Sequence, residues 1–370
     1  MSNSTTVVHL TTVHKVPDPR IFLKECASLS KAGYNVQALA CIDTPQLMVA
    51  GVPVFSVGTP TKNRMKRLLY QGRILAALWR HPPALVHFHD PELLPAMLLA
   101  SLLLARRTKF IFDMHENYGA SMSQSPYTRL LRPVYNLCLR ASEFRMHLVL
   151  AEESYRSLCH KPHQVIHNYP IAPPAQSPSQ RHNQIVYLGT IGLERGILEM
   201  IEAFALAQLN DWKLVIIGAF DDHLLHTRVR ALVRQHKLEA RVEFRGYLSA
   251  PEALQLVSES RIGLALLHPI PNYLNSLPTK VFEYLCRGTP VLLSNFPFYQ
   301  QFFRDVPGVH FVDPLNAQEI AKALQKLAVA APLTTEETTA VLQQYSWESE
   351  SRRLIDLYTT LDVPRTTESA

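Results

Sequence analysis

Residues 184–218, QIVYLGTIGLERGILEMIEAFALAQLNDWKLVIIG, decide the architecture. QIVYLGT is a short β-branched run and reads as a strand. ILEMIEAFALAQL repeats apolar residues at helical spacing, and KLVIIG returns to a strand. Strand, helix and strand in so short a span make a crossover unit, which sets the two strands parallel. The turn after the first strand carries Gly189, Thr190 and Gly192, and the glycines let the backbone approach a ligand. Arg195 stands at the start of the following helix, placed to pair with phosphate oxygens.

The alternation continues in both directions. Downstream come the strands RVEFRG, RIGLALL, PVLLS and VHFVD, separated by helical segments such as HTRVRALVRQHKL and AQEIAKALQKLA. Upstream lies QVIHNYPIAPPAQSPSQRHN, a proline- and serine-rich linker. Before it, VVHLTT, NVQALAC, ALVHFH, KFIFDMH and MHLVLAE alternate with helices such as RMKRLLYQGRILAALWR. A chain of 370 residues exceeds what one core holds. The expected class is α/β, with two Rossmann-like, doubly wound domains and a ligand cleft between them. The boundaries fall at 1–170 and 184–345. Residues 346–370 form a last helix, near Trp347 to Leu361, that packs back toward the first domain, and then a tail.

Charge is unevenly spread. Residues 1–170 hold 19 Lys/Arg and 10 Asp/Glu, net +9; the remaining 18 and 21 leave residues 171–370 at net −3. The segment Lys62 to Arg80 places Lys62, Arg64, Lys66, Arg67, Arg73 and Arg80 among apolar residues at helical spacing. Such a helix lies on an anionic membrane or packs in the core with a solvated basic face. Nucleic acid is not expected, because no helix-turn-helix or zinc-finger pattern accompanies the charge. The five cysteines form no C-x-x-C pair, which points to reduced thiols. The amino terminus lacks signal-peptide features, and the most apolar run, Leu93 to Ala105, is shorter than the roughly 20 residues a bilayer requires. The expected location is cytoplasmic, peripheral on the inner face of the membrane where it touches one.

Residues 271–294, PNYLNSLPTKVFEYLCRGTPVLLS, carry the second signal. Pro278 and Thr279 open a helix, with the threonine hydroxyl near the free amides. Lys280 adds a point charge, and Glu283, one turn on, is placed to accept hydrogen bonds from ribose hydroxyls. An ordinary amphipathic helix with a capping threonine is the competing reading. In the first half, Asp18 and Arg20 sit in the first strand–helix turn, Asp90 and Glu92 follow the strand ending at His89, and His115 and Asn117 follow KFIFDM. Asp18, Arg20, Asp90, Glu92 and Asn117 are expected on an acceptor or phosphate side. An Asp18–Arg20 turn contact and an Asp90 helix cap compete with that assignment. His115 is a candidate catalytic donor to a sugar hydroxyl, with a strand-end histidine satisfied by Asp113 or backbone as the competing reading. A metal held by His87, His89 and His115 is a further alternative. No D-x-D sequence occurs, so no metal-bound diphosphate and no cofactor are expected.

Together these stretches resemble glycosyltransferase family 4, retaining enzymes of the GT-B fold from bacterial polysaccharide synthesis. The resemblance runs through HLTTVHKVPDPRIFLKECASLSKAGYNV, LVHFHDPELLP, FIFDMHENY, YLGTIGLERGI, VEFRGYL and PTKVFEYLCRGTPV. It implies a nucleotide-diphosphate sugar as donor and a glycan or lipid-linked acceptor. Glu283 matches the second glutamate of the family's E-x7-E motif, and Asn275 stands where the first would be. Arg195 matches the basic residue of the K-G step and Thr190 replaces an arginine. His115 matches a histidine near the reacting sugar, and Phe244 to Leu248 border the base. Arg195 and Lys280 are then the charges that neutralise the leaving diphosphate. A sugar-nucleotide epimerase of the same fold and a non-catalytic binding partner are the rival readings.

Overall fold

The computed structural model describes residues 5–115, 126–173 and 180–366. They divide into two compact units, Met1–Asn168 with Ser349–Ala370, and Tyr169–Glu348.

In the first unit the strands are β1 (Thr6–Leu10), β2 (Asn35–Cys41), β3 (Gln46–Val49), β4 (Val52–Gly58), β5 (Leu85–Phe88), β6 (Lys109–Met114), β7 (His147–Leu150) and β8 (Gln164–Val165). They form one sheet in the order β3-β4-β2-β1-β5-β6-β7-β8. All pairs are parallel except β3–β4. β5 is buried along its whole length, as expected of a central parallel strand covered on both faces. The β3–β4 hairpin was not legible in the sequence. Its turn is Ala50-Gly51, both at positive φ, and alanine is a poor signal for such a turn.

The second unit holds β9 (Gln184–Leu188), β10 (Lys213–Ile217), β11 (Val242–Gly246), β12 (Ile262–Ala265), β13 (Val291–Ser294) and β14 (Val309–Val312). Their order is β11-β10-β9-β12-β13-β14, every pair parallel. The winding reverses between β9 and β12, and in such sheets ligands bind beyond the strand ends at this switch point. The first sheet reverses likewise between β1 and β5.

Helices cover the sheets because their apolar stripes match the helical repeat. Ile197–Ala207 buries Ile197, Met200, Ile201 and Phe204, and Asp222 caps His223–Gln235 by accepting from Leu225 N at 2.8 Å. The first helix of the chain departs from the α repeat. Pro19–Cys26 is wound one residue wider, as a π-helix, and buries Arg20, Ile21, Phe22, Lys24, Glu25 and Cys26. Nearly every side chain of that turn therefore faces inward. The last helix, Trp347–Thr360, buries Leu354 and Tyr358 completely, and the Tyr358 ring meets Tyr34 edge-on at 5.4 Å. Among the described part of the linker, Tyr169 is buried against Phe282 and Tyr345.

Candidate functional site

In the second unit the site grows from the turn after β9. Gly189 has φ +131°, and a side chain there would stand 3.2 Å from Lys280 Nζ and 3.8 Å from an Arg195 guanidinium nitrogen. Glycine suits the turn through its backbone angle, and a Cβ there would press on the Lys280 ammonium. Gly218, at the end of β10, has φ +143° and lies so close to Gly189 O that a Cβ would overlap it. Two strand ends thereby approach without side chains between them.

Lys280 reaches this turn from the helix Thr279–Leu285. Its ammonium is buried, lies 4.0 Å over the Tyr187 ring, and has no hydrogen-bond partner. Burial, helped by the nearby Arg195 charge, pushes its pKa down to about 7. Arg195 closes the short turn Leu193–Arg195 and stands 5.8 Å from the Tyr273 ring centre. Glu283 is half-buried one turn beyond Lys280, and Thr190, Asn275 and Thr279 are exposed. Gly192 is buried, packed so closely on Asp221 that a Cβ would overlap its carboxylate. The threonine cap is not made. Pro278 takes the cap position with no side-chain hydrogen bond, because proline's fixed φ suits that place and leaves Thr279 inside the helix.

Phe244 belongs to β11 and packs on Phe220 at 5.7 Å, with the Arg230 guanidinium 4.3 Å above its ring. Tyr247, just past the strand, is 88% exposed. This aromatic rim follows the strand next to the glycine pair.

In the first unit, charged and imidazole side chains crowd the ends of β1, β5 and β6. Asp113 receives Arg20 through Nε at 2.9 Å and a terminal nitrogen at 2.8 Å. Its Oδ2 also lies 2.5 Å from His115 Nε2 and 3.3 Å from His89 Nδ1. Burial alone would raise Asp113, but Arg20 and His115 hold it well below the usual carboxylate range. His115 Nε2 is thus tied inward.

The other residues expected on this side are committed to structure. Asp18 caps the π-helix, accepting from Arg20 N at 2.9 Å and Ile21 N at 3.0 Å. Burial opposes its charge, yet His14 and that cap bring its pKa to about 2. Arg20 does not face a phosphate: it is 3% exposed and also donates to Ile166 O at 2.9 Å. Asp90 does not cap the next helix. It is fully buried and ties down the turn after β1, accepting from Thr12 N, Thr11 Oγ1, Thr12 Oγ1 and Val13 N. Glu92 accepts from Arg67 Nε at 2.8 Å and Thr12 Oγ1 at 2.9 Å. Asn117 lies outside the described residues.

Two family models match the chain. "Glycosyl transferases group 1" covers residues 172–336, and "Glycosyl transferase 4-like domain" covers residues 20–155. The chain is a family 4-like glycosyltransferase. No curated protein matches the glycosyltransferase by sequence. Among solved structures it is similar to a glycosyltransferase from Rickettsia africae, with TM-score 0.72, 15% identity, and coverage of 97% of this chain and 99% of that one. It is similar to sucrose-phosphate synthase from Thermosynechococcus elongatus at TM-score 0.69 and 18% identity, covering 96% and 99%. Anabaena HepE, in complex with UDP and glucose, matches at TM-score 0.68 and 13% identity, covering 96% and 99%. The fold is therefore GT-B.

Several residues of this glycosyltransferase that shape the sites escaped the sequence reading. Tyr187 supplies the ring under Lys280; only its inward place on β9 hinted at it. Glu25 and Tyr358 enter the first-unit cluster from a helix and from the far end of the chain. Among the described residues, two groups bring metal-ligand atoms within 4.8 Å of one another: Glu25, His87, His89 and Asp113, and Glu143, Cys159 and His163. In the second, Glu143 already accepts from His160 N, Lys161 N, His160 Nδ1 and His163 Nε2.

Proposed function

We propose that the enzyme transfers a sugar, with retention, from a nucleotide-diphosphate sugar to a hydroxyl of a glycan or lipid-linked acceptor. The observation that carries this reading is the buried, unpartnered Lys280 ammonium beside Arg195 at the Gly189 turn. A buried charge without a partner is costly. Diphosphate oxygens supply the missing acceptor, and the two cations then stabilise negative charge as it grows on the leaving group.

The remaining roles follow from placement. Glu283 accepts from the donor ribose, Asn275 from the sugar, and the Phe244 to Leu248 rim borders the base. His115 hydrogen-bonds a sugar hydroxyl through Nδ1, with Nε2 held by Asp113 behind it. The acceptor oxygen bonds to the anomeric carbon as the bond from that carbon to the phosphate oxygen breaks, on the same face. The acceptor's proton passes to the departing phosphate. Since HepE is described with UDP and UDP-glucose, uridine diphosphate sugars are the first donors to test.

A lipid-linked acceptor is favoured by the surface of the first unit. The helix Arg64–Arg80 buries Ile74 and Leu78 but exposes Met65, Leu68, Leu69 and Trp79. Lys62, Lys66, Arg73 and Arg80 are exposed beside them, while Arg67 is held by Glu92. A groove of about 320 Å³ between this helix and Leu94–Leu103 is lined by Leu75, Trp79, Arg80, Leu99 and Leu103. Among the described residues no helix is long and apolar enough to cross a membrane. Peripheral docking fits an apolar strip rimmed by cations.

The test is a panel of nucleotide sugars offered with polyprenyl-phosphate-linked and free glycans, the product's anomeric configuration being read by NMR. Transfer with retention is expected. Inversion, or conversion of the donor without transfer, overturns the reading.

A further inference from the structure

We propose that Glu25, His9, His87 and His89 form a buried site for one divalent cation of the zinc type inside the first unit. Glu25 Oε2 lies 3.9 Å from His9 Nδ1, 3.9 Å from His87 Nε2 and 4.0 Å from His89 Nε2. His9 Nδ1 and His89 Nε2 are 3.1 Å apart. All four residues are at most 1% exposed. Ligand atoms around a tetrahedral zinc, with bonds of roughly 2.0–2.2 Å, stand about 3.3 Å from one another. The glutamate would therefore move about 0.6 Å toward the imidazoles to complete a shell of three nitrogens and one oxygen.

The first support is an orphan pair. Glu25 Oε2 and His87 Nε2 have no hydrogen-bond partner although both are buried. Leaving such groups unpaired in a dry interior is costly, and a cation between them satisfies both. The second is how the rings are held from behind. His87 Nδ1 lies 2.9 Å and His9 Nε2 3.3 Å from the Tyr358 hydroxyl, and His89 Nδ1 lies 3.3 Å from Asp113 Oδ2. In the tautomers whose N–H groups donate outward, the lone pairs of the other nitrogens face Glu25. Ligand histidines are ordinarily oriented in this way. On its other side, Glu25 Oε1 is 3.0 Å from Arg20 Nε, which aims Oε2 at the rings.

A proton on Glu25 is the competing occupant. Distances of 3.9–4.0 Å are too long for that proton to reach any of the three rings. It therefore leaves His87 Nε2 unpaired, whereas a cation satisfies both groups. Loading the site releases whatever proton Glu25 carries.

The site is separate from the diphosphate cations of the second unit, and its ion is held from folding onward. The experiment unfolds the full-length protein with chelator and refolds it with zinc or with cobalt. One zinc per chain by mass spectrometry is expected, with the visible spectrum of tetrahedral cobalt. A lower melting temperature is expected for protein refolded without metal. Tyr358→Phe should keep the fold and weaken cobalt binding about 10–100-fold. Glu25→Gln should abolish zinc-dependent stabilisation. If the site holds a proton only, Glu25→Gln instead leaves the melting temperature indifferent to zinc in both proteins. Absence of a stoichiometric ion in the wild type, or cobalt binding unchanged by Tyr358→Phe, overturns the proposal even if Glu25→Gln fails to fold.

Discussion

Arg20 and Asp113, 93 positions apart, meet in a two-pronged ion pair at 2.8 and 2.9 Å with both side chains buried. Their bond ties the π-helix after β1 to the end of β6 and fixes the carboxylate that orients His115. Removing one partner of a buried pair strands the other charge, which costs about 3–5 kcal/mol. Arg20→Leu should lower unfolding stability by that order in urea titration. Arg20→Lys should recover only part, since an ammonium cannot fill both prongs. A loss below about 1 kcal/mol for Arg20→Leu would show the pair to be incidental.

Lys280 should give the protein a pH signature. Its folded pKa of about 7 lies below the ordinary 10.5. Between those values the unfolded chain binds more protons, so stability should rise with pH across this window. Donor binding runs the other way, since diphosphate favours the ammonium. At pH 8 binding should take up a proton, measured by calorimetry in two buffers of different ionisation heat. Lys280→Met should lose both the uptake and the stability slope. Donor binding by the wild type with no uptake would place the diphosphate elsewhere.

Glu283→Gln should leave the fold intact and weaken donor binding more than about tenfold, because charged hydrogen bonds contribute roughly 1.5–3 kcal/mol each. Titration calorimetry with the accepted donor decides it, and unchanged affinity would remove Glu283 from the site.

Turnover should need no added divalent metal if Arg195 and Lys280 neutralise the diphosphate as proposed. Initial rates in freshly added chelator should match those with magnesium or manganese. The buried site proposed for the first unit is tested separately, by refolding in chelator. Immediate loss of activity in chelator, restored by magnesium, would count against the cationic mechanism.

The protein should sediment with anionic vesicles and be released by salt. Each exposed Lys or Arg near such a surface contributes about 1 kcal/mol, and screening sets in over roughly 10 Å at 0.1 M salt. Leu68→Glu with Leu69→Glu should weaken binding without changing turnover on a soluble acceptor. Equal and poor recovery with neutral and anionic vesicles at low salt would favour a soluble acceptor.

Local periodicity was written in the sequence. The helix Arg64–Arg80 and strand β2 (Asn35–Cys41) appear with the bounds their spacing predicts. The glycine turn with Arg195 and the helix carrying Lys280 were legible because backbone angle and local spacing are properties of neighbouring residues. The short β8, the Ala50-Gly51 hairpin and the helix Thr335–Tyr345 were not, having too few residues or too weak a turn signal. What only the tertiary structure decided is which charges are used up. Arg20 and Asp90 look like surface groups awaiting a substrate, yet both are buried and bonded within the unit. Tyr358 reaches His9 across 349 positions. Such partners are chosen by the order of strands in the sheet and by the inward turn of a π-helix. A buried charge must be met by whichever group the fold brings within hydrogen-bond distance, and no local pattern in the chain records that distance.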